Sequence, residues 1–321
     1  MKILVTGGAG FIGSNLVEAL LDNSKVSQVR VIDNFATSSP GNIREFESNA
    51  KFSFFKGDIR NYEDCLAACI GIDRISHQAA LGSVPRSVTD PLTTNDVNIT
   101  GTLNIFNAAK EQGVKRIVYA SSSSVYGDNP SLPKTEDNVG NPLSPYAVTK
   151  YVNELYAHVY STVYELEFIG LRYFNVFGPR QNPEGPYAAV IPLFIEGLLS
   201  SKQPVINGDG NISRDFTYVD NAVQANILSL FTQNKEAVNE EYNIACGEKT
   251  TLFELFGYLR DASQSDLQPL LGADRMGDIK HSLADISKAR KLLNYDPSVT
   301  VKQGLEKTFN WYKSLGVKAG S

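Results

Sequence analysis

The feature that most constrains this chain is a set of three glycines, Gly7, Gly10 and Gly13, lying between a short apolar run, Lys2 to Thr6, and a stretch with helical spacing that starts at Phe11. Strand, glycine turn and helix in that order make a phosphate-binding corner. The glycines permit a tight turn, and without a Cβ they let a pyrophosphate approach the free N–H groups at the helix N-terminus, where the dipole favours an anion. The spacing alone is a weak signal, because glycine turns also follow strands for purely structural reasons. Asp33 strengthens it: this residue ends the second β run twenty residues beyond Gly13, where a carboxylate can accept from the ribose hydroxyls of an adenosine. An acid there repels a 2′-phosphate, so the expected cofactor is NAD and not NADP. Asp58 and Ile59 follow the third β run and are expected to meet the adenine, with a loop-capping aspartate as the alternative reading of Asp58.

Further along, β-rich runs at Val29 to Asp33, Phe52 to Gly57, Arg74 to Gln78, Arg116 to Ser121 and Phe168 to Arg172 alternate with helical patterns such as Phe11 to Asp22, Leu92 to Glu111 and Pro145 to Tyr164. That alternation predicts an α/β fold of Rossmann type, a doubly wound parallel sheet covered by helices on both faces. After about residue 176 the regularity breaks. A Gly/Pro/Asn-rich loop, a helix, a short strand near Pro204 to Asn207 and a helix from Asp220 to Phe231 follow. The expected organisation is a dinucleotide domain over 1–175, to which 218–245 returns, and a smaller mixed α/β substrate region over 176–321.

The chain has 321 residues, 42% apolar and 20% charged, which is ample for a folded core. Thirty Lys and Arg against thirty-five Asp and Glu give a net charge of −5, with no basic field for nucleic acid or anionic lipid. No window approaches the roughly 18 apolar residues of a membrane span, and the opening Met-Lys-Ile-Leu-Val is too short for a signal-peptide core. Cys65, Cys69 and Cys246 are odd in number and lack zinc spacing; Cys65 and Cys69, four apart on one helix face, read as core thiols and not a redox pair, and a reducing cytoplasm fits best. His77, His158 and His281 have no mutual spacing for a metal or a catalytic triad, and no metal is expected.

Tyr146 and Lys150 form the one Tyr-x-x-x-Lys pair in the chain, and a four-residue step on a helix puts both on one face. A phenol of pKa about 10 becomes a base near neutrality only when cations favour the phenolate, and Lys150 can be one of them. Chance would supply roughly one such pair in a chain with this many tyrosines. Its position after the fifth strand and the run Ser121 to Ser124 is what gives it weight, since ligands of parallel sheets bind at the strands' C-terminal ends.

Taken together, Thr6-Gly-Gly-Ala-Gly-Phe-Ile-Gly13, Asp33-Asn-Phe, Gly57-Asp-Ile, His77-Gln-Ala-Ala80, Asn98-Ile-Thr-Gly-Thr102, Ser121-Ser-Ser-Ser-Val-Tyr-Gly127, Pro145-Tyr-Ala-Val-Thr-Lys150, Arg172-Tyr-Phe-Asn-Val-Phe-Gly-Pro179 and Ser213-Arg-Asp-Phe-Thr-Tyr-Val-Asp220 resemble the extended short-chain dehydrogenase/reductase family along essentially the whole chain. Within it they resemble the nucleotide-sugar 4-epimerases. Ala80-Leu-Gly-Ser-Val-Pro-Arg-Ser87, Tyr187-Ala-Ala-Val-Ile-Pro192 and His281-Ser-Leu-Ala-Asp-Ile-Ser-Lys288 are similar to the UDP-N-acetylglucosamine 4-epimerases of bacterial polysaccharide biosynthesis.

The resemblance implies Tyr146 as base, Lys150 as its pKa partner and nicotinamide-ribose ligand, Ser122 as the hydroxyl on the sugar and Ser123 as its assistant. It implies Gly7, Gly10, Phe11, Ile12, Gly13, Asp33, Asn34, Asp58, Ile59, Ala79, Asn98 and Tyr173 around NAD. For the UDP-sugar it implies Arg214 and Arg275 with Asn175 near the diphosphate, Ala189 near the uracil, Gln181, Ser83 and Ser282 near the sugar, and Asp278 among the substrate-binding residues. Read as lone residues, Arg214 and Arg275 would be surface ion pairs with Asp215 and Asp278. Ser282 resembles the gate beside the sugar 2-substituent, where a serine leaves room for an acetamido group; the alternative is a helix cap three residues before Asp285.

Dehydratases of the family carry Asp-Glu after the catalytic hydroxyl, and decarboxylases a glutamate two residues after it. Here Ser123 and Ser124 stand in those places, which argues for epimerisation. The resemblance further implies a homodimer packed through the helix of Tyr146 and the one near Leu92 to Glu111. The competing expectations are the same chemistry on UDP-glucose/galactose or a UDP-uronic acid, and an NAD-binding sensor without turnover.

Overall fold

The structure is a computed structural model that describes residues 1–182, 189–208, 210–273 and 281–316. Its centre is a seven-stranded sheet in which every pairing is parallel. The first six strands are β1 (Lys2–Thr6), β2 (Gln28–Asp33), β3 (Phe52–Lys56), β4 (Arg74–His77), β5 (Arg116–Ser122) and β6 (Glu167–Tyr173). Connecting them are α1 (Phe11–Leu21), α2 (Tyr62–Cys69), α3 (Val84–Thr89), α4 (Pro91–Asn95), α5 (Gly101–Glu111) and α6 (Pro145–Tyr164).

Beyond β6 come β7 (Val176–Phe177), α7 (Val190–Leu199), β8 (Val205–Asn207), β9 (Ser213–Arg214), β10 (Thr217–Tyr218) and α8 (Val219–Phe231). Then follow β11 (Glu240–Ile244), β12 (Thr250–Thr251), α9 (Leu252–Ser263), β13 (Leu270–Gly272), α10 (Ser287–Leu293) and α11 (Val301–Ser314). The spatial order of the sheet is β11-β6-β5-β4-β1-β2-β3, so the chain starts in the middle and winds outward on both sides. β11 enters from far along the chain and pairs with β6, Glu240 opposite Ile169 through Ile244 opposite Tyr173. The short strands β7 to β10, β12 and β13 pair among themselves in three two-stranded sheets.

Side chains alternate across each strand and so feed two cores. Ile3 and Val5 face the layer of α1 and α8, while Leu4 faces that of α2, α5 and α6. In the second core Phe106 is fully buried and meets Phe168 with ring centroids 4.8 Å apart, with Tyr119 and Tyr160 edge-on beside it. Cys65 and Cys69 are free thiols buried in this core, and burial pushes both up to about 12, which leaves them unreactive. Cys246 is also a free thiol.

The stretch Leu92 to Glu111, expected as one helix, is interrupted. Five residues, Asp96–Thr100, take π geometry between α4 and α5. Inside that turn Asn98 is fully buried, its amide donating to Leu81 O and Thr149 Oγ1 while its oxygen accepts Leu81 N–H. The wider turn carries a polar side chain in to satisfy the loop after β4. α6 has clear punctuation: Ser144 Oγ accepts the N–H of Ala147 at 3.1 Å, Pro145 opens the first turn, and the helix ends at Glu165 with φ of 57°.

Candidate active site

Parallel register aligns the C-terminal ends of the central strands. Thr6 stands opposite Ile32 and His77, His77 opposite Tyr119, and Ser122 opposite Tyr173. A cavity of about 1000 Å³ opens above that crest. Ligand sites commonly measure roughly 300–1,000 Å³, so it has room for a dinucleotide and a second ligand together.

At one end the glycine corner forms the wall. Gly7 has φ of +66°, and a Cβ on Gly13 would lie 2.1 Å from Gly7 O, so neither position admits a side chain without moving backbone. Gly10 has only Gly7 O within 4 Å of its missing Cβ, and a side chain there would take up cavity space. α1 begins at this point without a side-chain cap. Phe11, Ile12 and Gly13 line the cavity, as an anion at a helix N-terminus requires. Asp33, at the end of β2, is held rigidly: its carboxylate accepts from Ala9 N–H at 3.0 Å, Phe35 N–H at 2.8 Å and Ser38 Oγ at 2.8 Å. Asn34 Nδ2 donates to Asp58, whose carboxyl is also gripped by Arg60 and is thereby lowered to about 2. A corner that excludes Cβ atoms, an uncapped helix start and a fixed carboxylate at the end of the neighbouring strand fit the pyrophosphate and adenosine ribose of NAD. Ile59, Ala79 and Tyr173 complete that wall, with Tyr173 OH held between Gln78 and Asn226.

At the other end α6 brings Tyr146 and Lys150 to the cavity beside Ser122, Ser123 and Ser124. Lys150 is 4% exposed and donates from Nζ to Ala120 O at 2.7 Å, with Nζ 5.9 Å from the Tyr146 ring centroid. Burial lowers Lys150 to about 8, and the charge of Glu154 pulls against that. Tyr146 is raised by burial, with the Ser122 hydroxyl drawing it back. His77 is locked between Thr6 Oγ1 and Thr102 Oγ1, and burial followed by the Lys150 charge lowers it to about 3, which leaves a neutral core ring.

Asn175, Gln181, Arg214 and Ser282 line the same cavity. Asn175 has φ of 37° and donates from Nδ2 to Asp215 O, while Arg214 Nη1 donates to Ser213 O. The Asp215 carboxylate is fully buried and accepts N–H groups from Cys246, Gly247 and Ala284. Ser282 is tied by its N–H to Ser213 O at 3.1 Å, and the nearest helix, α10, starts at Ser287, so Ser282 is no helix cap.

Three expected residues stand off the cavity wall. Asn98 acts behind it through Leu81. Ser83 caps α3 by accepting Arg86 N–H, and Ala189 is the exposed residue before α7. Arg275 and Asp278 lie outside the described residues. Conversely, Thr37, Ser38, Arg60, Arg86 and Lys134 line the cavity with no expected role, and Ser124, expected only as an acid-free position of the serine run, lines it too. Ser124 Oγ and Gln181 Oε1 are buried atoms with no hydrogen-bond partner among the described residues, which marks both as groups awaiting one. Ser124 was signalled by the serine run. Lys134 had no local signal, because long-range pairing with Ala284 is what brings its segment to the wall.

A doubly wound sheet with a dinucleotide corner and a Tyr/Lys pair at the strand ends defines a Rossmann-type nucleotide-dependent enzyme. Residues 3–245 match the NAD dependent epimerase/dehydratase family, and the chain belongs to it. A putative UDP-glucose 4-epimerase of Methanocaldococcus jannaschii is 38% identical over 97% of this chain and 98% of its own length. The UDP-N-acetylglucosamine 4-epimerase of Methanobrevibacter ruminantium, solved with UDP-N-acetylmuramic acid, is 40% identical with a TM-score of 0.92 over 98% of each chain. The UDP-glucuronic acid 4-epimerase of Bacillus cereus, solved with UDP-glucuronic acid and NAD, is 37% identical with a TM-score of 0.90 over 98% of this chain and 100% of its own. The protein is an NAD-dependent nucleotide-sugar 4-epimerase of the extended short-chain dehydrogenase/reductase type.

Proposed function

We propose that the protein interconverts UDP-N-acetylglucosamine and UDP-N-acetylgalactosamine at C4. The observation that carries the substrate choice is Ser282, a small side chain held at a fixed place on the wall of the cavity that also contains Tyr146. A serine there leaves volume for a 2-acetamido group that a bulky ring would fill. The serine run adds support for the reaction, because Ser123 and Ser124 offer hydroxyls and no carboxylate, and elimination from the sugar needs an acid at that place.

Tyr146 removes the proton from the sugar O4 and later returns it, with Lys150 holding the phenolate and Ser122 hydrogen-bonded to the same oxygen. Bound NAD supplies the reversible redox step at C4, so no net oxidation occurs and none need be added. Arg214 and Arg275, with Asn175, hold the diphosphate, guanidinium matching phosphate oxygens in pairs. Ser124 and Gln181 serve the sugar from the cavity wall. While the nucleotide stays clamped, the 4-keto sugar turns over and presents its other face.

Two copies of the chain are inferred to pack through α6. Val148, Leu155, Val159 and Val163 are exposed and share one face of that helix, with Val88 and Leu92 exposed on the neighbouring α3 and α4. A reducing cytoplasm suits the three free thiols.

Replacing Ser282 with Tyr tests the substrate choice. The expected result is a fall of more than tenfold in turnover of UDP-N-acetylglucosamine with UDP-glucose turnover kept, and an unchanged N-acetyl rate would reject it. The second reading, a UDP-uronic acid, is favoured by two further cations on the cavity wall, Arg86 and Lys134, either of which suits a sugar carboxylate.

A further inference from the structure

One helical turn beyond Lys150, α6 carries a second charged group into the core. Glu154 is 5% exposed and Arg172 of β6 is 3% exposed. Arg172 Nε and Nη2 donate to the two carboxylate oxygens, each at 2.9 Å, and Ser121 Oγ donates to Oε1 at 2.5 Å. The other guanidinium nitrogen donates to Tyr126 OH at 3.0 Å and Glu136 O at 2.8 Å. From Tyr126 the chain of bonds runs through Asn243 Oδ1, and Asn243 Nδ2 donates on to Lys134 O and Asp285 O. Every polar atom of the pair is therefore spoken for.

A buried ion pair is poor evidence of stabilisation, since an apolar replacement of both partners is often neutral or better. Its place in the fold points to another use. On β5, Ala120 accepts from Lys150 and the next residue, Ser121, donates to Glu154. Two successive turns of α6 are thus stapled to two successive residues of the strand that ends in Ser122. We propose that Glu154, held by Arg172 and Ser121, is a positioning residue for the epimerisation. It sets the register of the Tyr146 and Lys150 face of α6 against the end of β5 and supplies the negative charge that keeps the Lys150 ammonium beside Tyr146.

Several groups bear on this charge balance. Tyr146 and Glu154 face Lys150 from α6, and neutral His77 faces it from β4. Around Glu154 stand Arg172 of β6, Tyr119 of β5 and Glu241 of β11. Burial works against the Lys150 charge, and Glu154 is the group that opposes it. Burial likewise works against Arg172, and its bonds to Glu154 more than compensate, leaving its pKa raised.

The inference rests on the assignment of Tyr146 and Lys150 above. Its test is the pH dependence of kcat and KM, with UDP-N-acetylglucosamine as substrate, or UDP-glucose if that reacts faster. Losing the Glu154 charge makes Lys150 give up its proton more easily, so the limb on which kcat falls as Lys150 deprotonates moves to lower pH. For Glu154→Gln the expected shift is about one pH unit, with kcat at pH 9 down about tenfold and KM within about twofold. The double variant Glu154→Gln/Arg172→Met leaves no unpaired buried charge and shifts the limb in the same direction by less. Ser121→Ala, which deletes one hydrogen bond and no charge, lowers kcat without moving the limb, and Arg172→Lys keeps the limb where it is.

If the variants lower only thermal stability and the fraction of NAD-loaded protein, with the limb unmoved, Glu154 is structural and the proposal is overturned. Should Tyr146→Phe retain near-normal turnover, the underlying assignment fails instead. An inactive Tyr146→Phe with an unshifted Glu154→Gln sinks the role of Glu154 alone.

Discussion

By itself Tyr146 is a poor base: burial raises it above the ordinary phenol value, and only the Ser122 hydroxyl among its neighbours draws it down. The cation of Lys150 has to do the rest. That charge exists below the lysine pKa, which burial has brought to about 8, so activity is expected to be present below and to fall as pH rises through that value. A rate profile from pH 6 to 10 checks this, and a flat profile to pH 10 would contradict it. Tyr146→Phe is expected to lower kcat by about 10²–10⁴-fold with substrate still bound, as loss of general acid/base catalysis does. At the glycine corner, Gly13→Ala puts a Cβ 2.1 Å from Gly7 O, so the protein is expected to purify with little bound NAD, read from the nucleotide released on denaturation.

Most of these residues were legible in the sequence because each depends on local spacing: glycines between a strand and a helix, an acid at the end of the second strand, a tyrosine and lysine one turn apart. Arg86 and Lys134 were not, since their places on the wall depend on how distant segments meet.

Among the elements, α6 carries the greatest weight, because one face holds Tyr146, Lys150 and Glu154 while another holds exposed Val148, Leu155 and Val159. Ser144→Ala removes the hydroxyl that accepts Ala147 N–H next to the catalytic turn, and is expected to cost about 0.5–2 kcal/mol in chemical denaturation. Phe106→Ala, at the centre of the aromatic cluster, is expected to cost about 3–5 kcal/mol by the same measure. The boundaries of α6 and β1 could be read from the sequence to the residue, since Ser144-Pro145 and the glycine corner punctuate them. The π turn at Asp96–Thr100 was invisible: its residues keep helical apolar spacing, and the cause is a buried asparagine reaching a loop after another strand. β7, β9, β10 and β12, two residues each, were also beyond periodicity, which needs more residues to register.

At the scale of the molecule, the parallel sheet opens one cavity along its crest, with the glycine corner at one end and α6 at the other. The apolar face of α6 predicts a dimer by light scattering, and Leu155→Asp with Val159→Asp is expected to give monomers; a monomeric parent protein would refute the interface. The parallel sheet with helices on both faces followed from the alternation of strand and helix, whereas its strand order, with β11 beside β6, depends on long-range pairing. The central claim is epimerisation at C4 of an N-acetylated UDP-sugar by a protein that brings its own NAD. The direct measurement incubates the purified protein, without added NAD, separately with UDP-N-acetylglucosamine, UDP-glucose and UDP-glucuronic acid and resolves the products by NMR. Formation of UDP-N-acetylgalactosamine well above turnover of the other two is the predicted result; turnover of only UDP-glucose or UDP-glucuronic acid, or of none of the three, would contradict it.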